Sequence, residues 1–279
     1  MSFFPRTQVG GISMPRLICG SNWMAGFSHT SAAKDRFIRE LFNTPQKMAD
    51  VIEVFARAGC NAFMSGVTEF IAQALRETED RVGVEMLWVA TPSYDLTGDP
   101  DDWKRAVDRT KELGAQFCFP HQCVTDPLLD RVNRCFTERL RDHIRYVREV
   151  GLIPGLSSHT PEAIICADNG NEDVESYIQP YNAAGFLCQV ETDWLQRIIH
   201  NARKPVMTIK PLAGGRLLPP TGLAFVWNTL RDCDMVTVGT MSTYEAEEVI
   251  ELSMAFLERR KADVELQYTR SKQGLVTDR

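Results

Sequence analysis

Gly151-Leu-Ile-Pro-Gly-Leu-Ser-Ser-His-Thr-Pro-Glu162 is the stretch on which the fold turns. Gly151 ends an amphipathic helix, since glycine readily takes the left-handed conformation that closes one. Leu152 to Ser157 is an apolar run of strand length. Thr160-Pro161 then opens the next helix, with a hydroxyl to cap free N–H groups and proline in the first turn. Helix end, strand and helix start follow one another without a linker.

Outward from this segment the same unit recurs about eight times. The other apolar runs are Arg16 to Gly20, Cys60 to Ser65, Met86 to Thr91, Gln116 to His121, Ser176 to Tyr181, Val206 to Lys210 and Met235 to Gly239. Short, continuously apolar runs suit strands covered on both faces of a parallel sheet. Thr44-Pro45 and Asp99-Pro100 repeat the helix opening, and Met48, Val51, Ile52, Val54 and Phe55 follow at helical spacing. Gly59 and Gly114 end helices, and Ser242 or Thr243 caps a last one through Ala246, Val249, Ile250 and Leu252. Strand–helix alternation with short returns means parallel units. Eight of them in 279 residues predict a single α/β domain over 1–279, a TIM-type (β/α)8 barrel. The open doubly wound alternative usually carries G-x-G-x-x-G after its first strand, which Cys19-Gly-Ser-Asn-Trp23 does not match. Gly10-Gly11 predicts a short N-terminal β-hairpin that plugs the barrel from below.

Composition narrows the partners. The net charge is −6 with acids and bases interspersed, so no nucleic-acid surface is expected. The eight cysteines stand singly without a C-x-x-C pair, as reduced thiols of a cytoplasmic protein would. Neither a signal peptide nor a membrane span is expected. A small-molecule substrate is the expected partner, and the oligomeric state is left open.

In such a barrel the chemistry sits where the strands end. Those positions carry Asn22 and His29, Glu69, Tyr94 and Asp95, His121, His159, Tyr181, Asn182 and Lys210. His121 follows an apolar strand, and an imidazole exchanges protons near neutral pH. Burial would lower Lys210 towards an imine-forming amine or a proton shuttle, against its simpler reading as a packed lysine. Trp23 is the aromatic best placed to face a substrate, with Asn22 and His159 beside it. Phe27, Trp194 and Trp227 are as readily packing. Cys118, His121 and Cys123 match no zinc spacing, and strand alternation turns Cys118 away from His121, so no metal is expected.

Several segments in order carry a likeness: Gly59-Cys-Asn-Ala-Phe63, Gly155-Leu-Ser-Ser-His159-Thr-Pro-Glu162, Gln179-Pro-Tyr-Asn182, Lys210-Pro-Leu-Ala-Gly-Gly-Arg216 and Val238-Gly-Thr-Met-Ser242. Together they resemble the aldo/keto reductase superfamily over nearly the whole chain. That family reduces carbonyls with NAD(P)H through an Asp, a Tyr, a Lys and a His. The resemblance puts Met64 at the Asp, Glu69 near the Tyr, Pro92 at the Lys and His121 at the His. It implies the lineage without its standard acid–base set. Proton transfer on a small polar carbonyl or sugar-derived substrate is therefore expected, with His121, Lys210, Tyr94 and Glu69 as catalytic candidates. The alternatives are an NAD(P)-dependent oxidoreductase with Tyr94 as a rearranged donor, or a non-catalytic ligand-binding barrel.

The same resemblance implies cofactor positions. Ser157 and Gln179 fall where a nicotinamide carboxamide is held, and Leu212, Gly214 and Gly215 lie in a loop whose N–H groups approach a diphosphate. Met241-Ser-Thr-Tyr-Glu245 replaces the basic residues that grip a 2′-phosphate, and Glu245, Glu247 and Glu248 would repel one. NAD(H) stays open, and NADP(H) is not expected. The charged insertion at 31–43 is a lid or an interface.

Overall fold

The computed structural model describes residues 4–265, 267 and 269–275. The expected hairpin is present: β1 (Arg6–Val9) pairs antiparallel with β2 (Ile12–Pro15). Gly10 and Gly11 take φ of 55° and 83° at its turn, a region that glycine enters freely.

Parallel strands follow as β3 (Leu17–Gly20), β4 (Ala62–Ser65), β5 (Leu87–Ala90) and β6 (Phe117–Cys118). A two-residue hairpin, β7 (Leu129–Asp130) with β8 (Cys135–Phe136), interrupts them. The fifth apolar run then forms two pieces, β9 (Ile153–Pro154) and β10 (Leu156–Ser157). β11 (Tyr177–Pro180), β12 (Val206–Ile209) and β13 (Met235–Val238) complete the set. β9 pairs with β6, β10 pairs with β11, and β13 returns to β3. The ring therefore closes through a strand broken at Gly155. A Cβ at Gly155 would stand 2.3 Å from the Phe119 ring, so the missing side chain makes room for Phe119 inside the barrel.

The interior holds Ile18, Met64, Val89, Phe117, Phe119, Ile178, Met207 and Met235, joined from below by Val9 and Met14 of the hairpin. The alternate residues, among them Leu17, Cys19, Phe63, Trp88, Tyr177, Val206 and Val236, pack outward against helices. Both strand faces are covered, which is why the runs read as continuously apolar.

The helices are α1 (Asn22–Ala25), α2 (Ala32–Leu41), α3 (Pro45–Arg57), α4 (Glu69–Val82), α5 (Asp102–Glu112), α6 (Gln122–Thr125), α7 (Glu138–Glu149), α8 (Glu162–Gly170), α9 (Thr192–Asn201), α10 (Pro219–Thr229) and α11 (Thr243–Glu258). Thr44 and Ser242 cap α3 and α11 as expected, accepting from the N–H groups of Lys47 and Glu245. Thr160 does not cap α8. Its hydroxyl faces Arg131 and Gln189 instead, and Pro161 stands at the cap position. The 31–43 insertion is helix α2, capped by Ser31. Among the described residues no helix is long and apolar enough to cross a membrane, and the eight cysteines are free. Near the C-terminus a 3-10 turn spans Arg270–Leu275.

Candidate functional site

A cavity of about 1210 Å³ opens at the carboxyl ends of the barrel strands. Asn22, Trp23, His29, His121, His159 and Lys210 all line it, together with Ser157 and the loop residues Leu212, Gly214 and Gly215. The structure thus brings together half of the strand-end candidates.

Lys210 immediately follows β12 and takes φ of 62°, uncommon for a residue with a side chain. Its ammonium has no hydrogen bond or ion pair among the described residues. Burial lowers its pKa to about 8, opposed only by Cys188. Three imidazoles share its surroundings. His159 is pushed down to about 4, first by burial, then by the charges of Lys210, His121 and His29. His121 and His29 are also lowered, again by burial first and Lys210 second. All three rings are therefore neutral at pH 7, and Lys210 is the cation of the group.

The tautomer of His121 follows from its own turn. The backbone N–H of Cys123 donates to Nδ1 at 3.4 Å, and the Cys123 thiol lies 3.1 Å from the same nitrogen. An amide N–H can only donate, so Nδ1 is the acceptor and the ring proton sits on Nε2. His121 therefore offers a donor. His159 has no side-chain hydrogen bond among the described residues, which leaves its ring free to accept a proton. Its backbone N–H donates to Asp126 at 3.3 Å. Asp126 also accepts from the Ser158 hydroxyl, and burial raises its pKa. Sequence reasoning missed Asp126, which lies between strands in a turn whose one signal is Asp126-Pro127.

Trp23 lies across Gly215 and Gly239, where a Cβ would approach the indole to 3.4 Å and 3.0 Å. Helix α2 supplies one wall through Lys34 and Arg39, and the Lys34 ammonium sits 5.8 Å from the Trp23 ring centroid. Asn22 lies 3.3 Å from Nε2 of His29. Phe27 also lines the cavity, whereas Trp227 packs on Phe4 and Arg16, and Trp194 stacks near Arg197.

Two catalytic candidates fall elsewhere. Glu69 is the first residue of α4, and Arg76 and Arg109 hold its carboxylate at 2.7 Å and 2.9 Å. Tyr94 turns outward, its hydroxyl 2.8 Å from Nδ1 of His143 on α7, and burial drives its phenol far above the usual range. Gln179 is fully buried beside β10, its amide donating to the carbonyl of His159 at 3.5 Å, and it does not reach the cavity wall. Tyr181 and Asn182 are likewise occupied, by Thr229 and by the backbone of Phe186. Among the described residues no group of three or more His, Cys, Asp or Glu is arranged to hold a metal ion.

No family model matches the chain, and none of the curated proteins does. Solved structures do resemble it. A protein of Pseudomonas aeruginosa named as a putative aldo-keto reductase superposes with a TM-score of 0.63 at 15% identity, over 90% of this chain and 95% of that one. BexX of Amycolatopsis orientalis, solved in complex with CysO, gives 0.54 at 13% identity, over 95% and 99%. The aldose reductase of Giardia lamblia gives 0.53 at 11%, over 94% and 90%. At these identities the likeness is one of fold: the chain is a TIM-type barrel similar to those of aldo-keto reductases.

Proposed function

We propose that this barrel is an enzyme that moves a proton on a small polar carbonyl substrate, a reaction of lyase, epimerase or isomerase type. One observation carries the reading: the unpaired Lys210 ammonium shares the cavity with three neutral imidazoles. Removing a proton next to a carbonyl leaves negative charge on its oxygen, and a fixed cation with a donor N–H stabilises that charge. Lys210 and the Nε2–H of His121 are assigned to the oxygen. His159, with its free ring, takes the proton. Trp23 and Asn22 bound the substrate. Glu69 and Tyr94 have no part in this reaction.

The test is exchange of substrate C–H for deuterium in D2O, followed by NMR on a panel of small hydroxy- and oxo-carbonyls. Wild type should catalyse exchange on at least one. His159→Asn and His121→Asn should each lower the rate by about 100-fold, within the usual range for acid–base groups. Exchange that survives both substitutions would sink the reading.

A second reading is an NAD-dependent oxidoreductase, supported by Ser157 and the Leu212–Gly215 turn on the same cavity wall. Against it, Gln179 is turned into the core and does not line the cavity. Calorimetric titration decides: NADH binding below millimolar favours this reading. NADPH should bind less well than NADH.

A further inference from the structure

The site just described has a charge pattern that selects among carbonyl compounds. Every ionisable group that shapes Lys210 or is shaped by it is basic or neutral: His29, His121, His159 and the Cys188 thiol. The carboxylates near those histidines are already engaged. Asp126 accepts from Ser158 and from the His159 amide, and Asp35 accepts from the hydroxyl and amide of Ser28. Glu245 and Glu248 also line the cavity, Glu245 accepting from the N–H of Met241, yet among the described residues no carboxylate lies within ion-pair distance of the Lys210 ammonium.

The uncharged donors point the same way. Ser157 is 5% exposed, lines the cavity, and has no partner for its hydroxyl among the described residues. The loop after Lys210 turns through positive φ at Ala213, Gly214 and Gly215. Within it the N–H groups of Ala213 and Gly215 are used by the turn, whereas those of Leu212 and Gly214 meet no acceptor among the described residues. Thr237 within β13 and Thr240 just after it also line the cavity and bury hydroxyls without a partner among the described residues. Buried donors are ordinarily paired, so unpaired ones lining the same cavity as an unpaired ammonium call for an acceptor with several lone pairs.

We infer that the substrate is an anion, a small carbonyl compound bearing a carboxylate or a phosphoryl group that pairs with Lys210 and the hydroxyl of Ser157. This rests on the proton-transfer reading for the carbonyl and on the geometry alone for the anion. The pairing has a chemical consequence. The charge of Lys210 is one of the forces holding His159 below its ordinary basicity, and an anion that offsets this charge returns basicity to the ring. The substrate then switches on its own base.

Calorimetry on the full chain tests the anion. The probes are pyruvate, its neutral ester methyl pyruvate, and inorganic sulfate; neither anion titrates between pH 7 and 10. At pH 7 at least one anion should bind about tenfold or more tightly than the ester, the least expected of a charge-assisted contact. Pyruvate alone would identify a carboxylate, sulfate alone a phosphoryl group. Lys210→Met should remove the preference. As an arm that needs no substitution, the wild type is also titrated at pH 10, where a lysine of pKa about 8 has lost its charge and the three histidines have not changed theirs. Anion affinity should drop about 100-fold, following the protonated fraction. No anion binding at millimolar concentration, or binding indifferent to both pH and Lys210, overturns the inference. Anion binding without deuterium exchange would leave this site standing and remove the proton-transfer reading; exchange on neutral carbonyls alone would do the reverse.

Discussion

Lys210 is a costly residue. It holds an uncommon backbone conformation, and its ammonium is taken largely out of water with no partner among the described residues. Both terms oppose folding, the first by about 1–3 kcal/mol. A lysine whose folded pKa lies below its unfolded value destabilises the protein while charged. That loss is complete below the folded pKa, about 8, and vanishes above the unfolded value of 10.5. Lys210→Met should therefore raise the urea midpoint at pH 7, and the gain should fade by pH 10.5. An equal shift at both values would show that charge burial is not the cause. Residues fixed by a strand end were legible without the structure: His121, His159, Lys210, Asn22 and Trp23 all reach the cavity. Glu69 and Tyr94 lie a few residues further on, beyond the last strand residue, where two-residue alternation no longer reports direction. Both loops fold outward, one onto arginines and the other onto His143.

At the scale of elements, apolar runs between helix signals located every barrel strand, because each is buried on both faces. The break in the fifth was hidden. Leu152 to Ser157 reads as one strand, and only packing shows that Gly155 gives way to the ring of Phe119. Gly155→Ala should destabilise the barrel by about 1–3 kcal/mol, the usual cost of overpacking a filled core. Adding Phe119→Leu should recover much of that loss. If the double variant in chemical denaturation is no more stable than the single one, the contact is not what splits the strand. The segment from Gln122 to Phe136 was illegible for another reason. Its helix of one turn, its 3-10 turn and its two-residue strands are each shorter than any period that could announce them.

For the molecule as a whole, acid is the vulnerable direction. His143 and His159 both have folded pKa values of about 4, with burial the first cause of each. Stability they contribute is present above the unfolded value of 6.5 and is lost as pH falls through 4. The urea midpoint should decline across that window, and His159→Asn should flatten part of the decline. A midpoint unchanged from pH 7 to pH 4 would contradict the burial of both rings. The chain alternation made this architecture readable, whereas the charges that meet at its mouth come from loops after different strands.

The hairpin beneath the barrel has a consequence for traffic. With Val9 and Met14 sealed against the interior residues, that end of the barrel is stoppered, and the cavity lies at the other, where the strands end. Whatever lodges beside Lys210 therefore comes and goes at the end of the barrel away from the hairpin.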